Sequence, residues 1–143
     1  MQVRITRLDP ELELPGYAHD GDAGIDLFAA VDTTLEPFER SLIPTGIAIA
    51  IPEGYAGFVQ PRSGLAIRHG LGLANAPGLI DSHYRGEVKV AAVNLDANES
   101  ISLARGDKVA QLVIQPVVRA ELVEVDSLDV TARGEGGFGS TGV

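Results

Sequence analysis

Apolar runs of strand length recur along the chain and are cut by glycine, proline or aspartate, and this punctuation constrains the fold more than any other feature. It predicts an all-β protein. Strands are expected at Val3–Arg7, Ile25–Ala29, Ser41–Leu42 leading into Gly46–Ile51, Tyr55–Gln60, Val88–Leu95, Ser100–Leu103, Val109–Gln115 and Ala120–Val125. Breaks fall at Pro44, Pro52–Gly54, Pro61, Ala76–Gly78, Asp96–Glu99, Arg105–Asp107 and Pro116. Many short strands with such turns favour a sandwich, a jelly roll or a distorted barrel. One short helix is expected where Ser63 caps "GLAIRH" and Gly70 stops it.

A chain of 143 residues is most simply one domain with its own core. Aromatics are 5% of the residues and tryptophan is absent, so that core must come from Val, Ile, Leu and Ala, a mixture suited to packed sheets. No cysteine occurs, which excludes disulfides, thiol catalysis and Cys-type metal sites. The start, "MQVRITRLDPELELP", lacks a signal-peptide pattern, and no apolar run approaches a membrane span. A soluble, cytoplasmic protein is expected. The formal charge of −9 opposes nucleic-acid binding and would repel a nucleoside triphosphate unless arginines and a divalent metal were concentrated at one place. The placement of arginine is therefore informative.

The tail "RGEGGFGSTGV" satisfies G-x-G-x-x-G at Gly134, Gly136 and Gly139, but no helix follows to receive a pyrophosphate. Gly134 and Gly139 also have phosphate-loop spacing, yet Ser140 stands where such a loop carries lysine. The chemistry still fits a nucleotide. Glycines expose N–H groups to an anion, Arg133 can grip a phosphate bidentately, Ser140 and Thr141 donate, and Phe138 can stack on a ring.

Polar groups stranded in apolar or glycine-rich surroundings lie in five places: "AGIDL" (Ala23–Leu27), "PRSGLA" (Pro61–Ala66), "NAPGLIDSHYRGEV" (Asn75–Val88), "GDKVAQLV" (Gly106–Val113) and "RGEGGFGST" (Arg133–Thr141). In order and spacing these resemble the five motifs of the trimeric dUTPase family. The resemblance implies a jelly-roll or distorted-barrel core over 1–132 and a flexible glycine-rich lid over 133–143. It implies Mg²⁺-dependent hydrolysis of dUTP to dUMP and pyrophosphate, and a homotrimer with shared sites that binds neither nucleic acid nor membrane.

By the same resemblance, Asp81 is the base that activates water and Gln111 orients that water or the neighbouring phosphate oxygen. Arg62, Ser63 and Gly64 would hold the triphosphate, and Asn75 with Gly78, Leu79 and Ile80 would read the uracil edge. Tyr84 would exclude a 2′-hydroxyl. Arg133, Phe138, Gly139, Ser140 and Thr141 would close over the nucleotide. Read from their surroundings alone, Asp81 is equally a turn aspartate, Asn75 a turn residue, Tyr84 a half-buried strand aromatic and Ser63 a plain cap. Asp26, isolated among apolar residues, can orient Arg62 or reach a metal through water, the metal being carried mainly by substrate phosphates. His19, His69 and His83 lack zinc spacing. A dCTP deaminase or bifunctional deaminase–diphosphatase of the same fold, and a catalytically silent nucleotide-binding jelly roll, are the competing expectations.

Overall fold

A computed structural model describes residues 1–137. Phe138, Gly139, Ser140 and Thr141 lie outside the described residues. The elements run β1 (Arg4–Arg7), β2 (Ile25–Phe28), β3 (Thr33–Leu35), β4 (Arg40–Ala50), β5 (Tyr55–Gln60), α1 (Ser63–His69), β6 (Leu71–Leu73), β7 (Gly78–Ile80), β8 (Glu87–Asn94), β9 (Ile101–Leu103) and β10 (Lys108–Pro116). They form two four-stranded sheets, β1-β4-β8-β6 and β2-β10-β5-β7, with β3 and β9 pairing separately. All pairings are antiparallel. The all-β expectation holds, as an open two-sheet arrangement rather than a closed barrel.

Alternation along the strands builds the core. In β8, Val88, Val90, Ala92 and Asn94 point inward, while Lys89 points out. Leu27, Ile43, Ile47, Ile49, Val59 and Leu112 join them in one aliphatic cluster drawn from both sheets. Asn94 is the polar exception, fully buried. Its Nδ2 donates to the carbonyls of Leu35 (3.0 Å) and Glu99 (2.8 Å), and its Oδ1 accepts from the Asp96 N–H (2.8 Å). Replacing Asn94 with leucine strands these groups and is expected to cost about 1–3 kcal/mol, read as a lower denaturation midpoint.

Three expectations are corrected. The break at Pro44 is instead a bulge within one strand, β4, whose register with β8 shifts between Pro44 and Ala48. Proline lacks an N–H and is tolerated at such a bulge, and Gly46 supplies the positive φ of 69°. The strand over Ala120–Val125 does not form: its apolar residues meet no partner strand among the described residues, and Leu122 and Val123 are exposed. Ser63 is the first residue of α1 and not its cap. Arg62 holds the cap position with extended backbone, and its carbonyl accepts the Ala66 N–H at 2.9 Å. The Ser63 hydroxyl therefore makes no capping bond. Gly70 ends the helix as expected, in the left-handed conformation at φ 71°.

Candidate active site

Strands β2 and β10 bring Asp26 and Gln111 into direct cross-strand register, so their side chains share one face. The end of β5 and the start of α1 place Arg62, Ser63 and Gly64 beside them, and together they line a cavity of about 410 Å³. Asp26 is only 9% exposed. Its carboxylate holds Arg62 Nε at 3.2 Å through one oxygen and Lys108 Nζ at 2.8 Å through the other. The Lys108 carbonyl also accepts from Arg62 Nη1 at 3.4 Å. Two cations meet one buried carboxylate, so the three groups together carry a net positive charge. Such a cluster is chemically suited to an anion.

Sequence reasoning left Lys108 without a role, although it lies in "GDKVAQLV". The register of β10 against β2 shifts between Lys108 and Ala110, and Val109 and Ala110 are both fully buried. One extra residue therefore turns Lys108 onto the Gln111 face, where regular alternation would have sent it toward the core. Two consecutive apolar residues after a lysine are the only sequence trace of this bulge.

Gln111 finds its partner in the Pro61 carbonyl, to which Nε2 donates at 3.0 Å. Gly24 makes the space: a Cβ there would lie 2.5 Å from Gln111 Oε1.

The hairpin residues form a second group. Strand β7 pairs with β5, and the Asn75 amide hangs over Gly78, 3.4 Å from where a Cβ would be, with no hydrogen-bond partner among the described residues. Tyr84 is 44% exposed in a turn rather than a strand. Its ring covers Gly86 and its hydroxyl donates to the Glu87 carbonyl at 2.9 Å. A separate cavity of about 230 Å³ is lined by Leu79, Ile80 and Tyr84 together with Leu42, Val88 and Lys89. Arg85 Nη1 donates to the carbonyls of Ser82 and Tyr84, both at 2.7 Å.

Asp81 is exposed and lines a different cavity, with Glu53, Tyr55, His83 and Arg119. Ile80 pairs with Gly57, so Asp81 falls opposite Ala56, six positions before Arg62. At ~3.3 Å per residue that is roughly 20 Å along the strand. Within one chain, Asp81 and the Arg62–Lys108 cluster are apart. Arg133 lines none of these cavities, and its Nε donates to the Gly136 carbonyl at 2.8 Å within its own turn. Among the described residues no three His, Cys, Asp or Glu side chains are clustered to hold a metal, and no helix is long and apolar enough to cross a membrane.

The dUTPase family model matches residues 11–142. The chain is 61% identical over 142 residues to the deoxyuridine 5'-triphosphate nucleotidohydrolase of Thermobifida fusca, covering 99% of this chain and 79% of that one. It is 54% identical to the enzyme of the same description from Mycolicibacterium gilvum, covering 98% and 94%. The structure of a Staphylococcus bacteriophage 80alpha dUTPase mutant with dUpNHpp superposes with a TM-score of 0.91 at 32% identity, covering 99% of both chains. A phage phi11 dUTPase, described for its coordination of a structural Mg(II) ion, superposes at 0.83 with 28% identity, covering 91% of this chain and all of that one.

Proposed function

The chain belongs to the dUTPase family, and from that membership we propose that it hydrolyses dUTP to dUMP and pyrophosphate, at sites assembled from more than one copy of itself. The observation that carries this reading is the fixed cationic cluster of Arg62 and Lys108 on Asp26, beside the open Ser63 hydroxyl and Gln111. Such preorganised donors stabilise charge developing on a leaving pyrophosphate without reorganising. Asp81 takes the proton of the attacking water, which Gln111 orients for in-line attack on the α-phosphorus. The backbone of Gly78, Leu79 and Ile80, with the unpartnered Asn75 amide, supplies the donor and acceptor pattern for uracil. Tyr84 closes the sugar side against a 2′-hydroxyl.

The residues fit a phosphate-carried Mg²⁺ rather than a protein-held one, because Asp26 is already engaged by two cations and, among the described residues, no three carboxylates or histidines are clustered to hold an ion. Asp26 would reach the ion through water, and the ion when bound neutralises phosphate charge. Residues 133–143 act as the lid, with Arg133, Gly139, Ser140 and Thr141 on the phosphates and Phe138 stacked on the base. The function supplies dUMP for thymidylate synthesis and keeps uracil out of DNA, in the cytoplasm.

A homotrimer with shared sites is the assembly we propose. The separation of Asp81 from Arg62 supports it, since attack on a bound nucleotide needs both within one site. So do Val118, Leu122, Leu128 and Val130, each 84–98% exposed in the isolated chain, which a neighbouring copy would cover.

The test is product formation from dUTP, dCTP, dTTP and UTP, with Mg²⁺ or with chelator. dUMP and pyrophosphate are expected from dUTP alone and only with the metal. Ammonia from dCTP would move the assignment to a deaminase, and no product from any of the four would leave a binding protein.

Gly24→Ala is expected to lower dUTP turnover by ~10²-fold with the fold retained, because the new methyl displaces Gln111 from its place beside Pro61. Turnover alongside thermal melting checks this.

A further inference from the structure

We infer that Arg68 is a further phosphate-binding residue, gripping the terminal phosphate of the nucleotide. The inference rests on the dUTP reading of the same cavity. Helical side chains lean back toward the N-terminus, so a residue in the last turn of α1 lies over the residue four positions earlier. Here that residue is Gly64, and Arg68 Nη2 comes within 3.0 Å of the point a Cβ on Gly64 would occupy. The absence of a side chain at Gly64 gives the guanidinium room to lie across the backbone and into the cavity it lines with Arg62, Ser63 and Gln111.

The two arginines are differently employed. Arg62 spends Nε on Asp26 and Nη1 on the Lys108 carbonyl, so much of its fork is committed to holding its place. Arg68 has no carboxylate within 4.0 Å and no hydrogen bond to protein among the described residues. The cavity's other carboxylate, Asp22, is already occupied by His19, whose backbone N–H it accepts at 2.8 Å. An arginine with its donors open, in a chain of net charge −9, is matched to an oxygen-rich dianion.

Position selects the phosphate. Asp26 and Gln111 are on the sheet, buried or half-buried, where the attacked phosphorus must meet oriented water. Arg68 is exposed, and its guanidinium reaches back over Gly64 from the solvent side of the cavity, away from the buried Asp26. It therefore meets the phosphate furthest from the reaction. A cation in the last turn also complements the helix dipole, but that role would alter melting and not the choice among ligands.

The experiment compares wild type, Arg68→Gln and Arg68→Lys by calorimetric titration with dUMP, dUDP and dUpNHpp, after first measuring wild-type turnover of dUTP. Arg68→Gln is expected to weaken dUpNHpp about 10–100-fold, as loss of charge-assisted hydrogen bonds does, while dUMP binds as before and Arg68→Lys recovers part of the loss. Unchanged dUpNHpp affinity in Arg68→Gln, or an equal loss for dUMP and dUpNHpp, would overturn the assignment. A wild type without dUTP turnover would instead overturn the underlying function, so the two failures are distinguishable.

Discussion

Asp81→Asn is expected to lower dUTP turnover about 10²–10⁴-fold, the usual worth of a positioned general base. Asparagine keeps the shape and one acceptor oxygen of the side chain but cannot take a proton from water. Asp81 follows β7 directly, in the turn where its carbonyl accepts the Tyr84 N–H at 3.1 Å. Its carboxylate makes no protein hydrogen bond among the described residues, so the substitution removes no internal contact. The loss should therefore appear in kcat, with dUpNHpp binding and the melting temperature close to wild type. Turnover near the wild-type rate would remove Asp81 from the mechanism.

Arg62→Ala is expected to have the second largest effect, about 10²–10³-fold in kcat/KM, comparable with losing one preorganised donor to a developing anion. Two consequences add here. On the proposed reading the phosphates lose a guanidinium whose orientation Asp26 has already fixed, and Asp26 keeps Lys108 alone as a cationic partner among the described residues. Arg62→Lys should recover little, since a lysine cannot meet Asp26 and a phosphate with one planar fork. Steady-state kinetics with calorimetric binding of dUpNHpp checks this, and binding should fall together with turnover, unlike Asp81→Asn.

Local pattern carried most of the fold. Tyr55–Gln60 has the expected bounds, and β8 and β10 fall within a residue of theirs, because alternation along a half-buried strand is a strong periodic signal. Thr33–Leu35, Leu71–Leu73 and Gly78–Ile80 were missed as strands from periodicity because three residues are too few to display a period. Ala120–Val125 shows the opposite failure: the alternation is present, but a strand also needs a partner, and partners are not written in local sequence.

The site divides in the same way. Asp26 and Gln111 stood out as polar residues on apolar runs, and the register places them side by side. Lys108 did not stand out, because only a bulge brings it to Asp26. The roles of Asp81 and Asn75 came from family likeness. Taken alone each is an ordinary turn residue, and the separation of Asp81 from Arg62 depends on the β5–β7 register, which no motif encodes.

That separation is the basis of the central claim, and mixing the two inactive variants tests it most directly. Asp81→Asn and Arg62→Ala chains, co-expressed in equal amounts, are assayed for dUMP formation beside each variant alone. If a site takes Asp81 from one copy and Arg62 from another, random assembly leaves about one half of each donor intact at every site, and about one quarter of wild-type activity should return. Activity no greater than that of the parent variants would contradict shared sites.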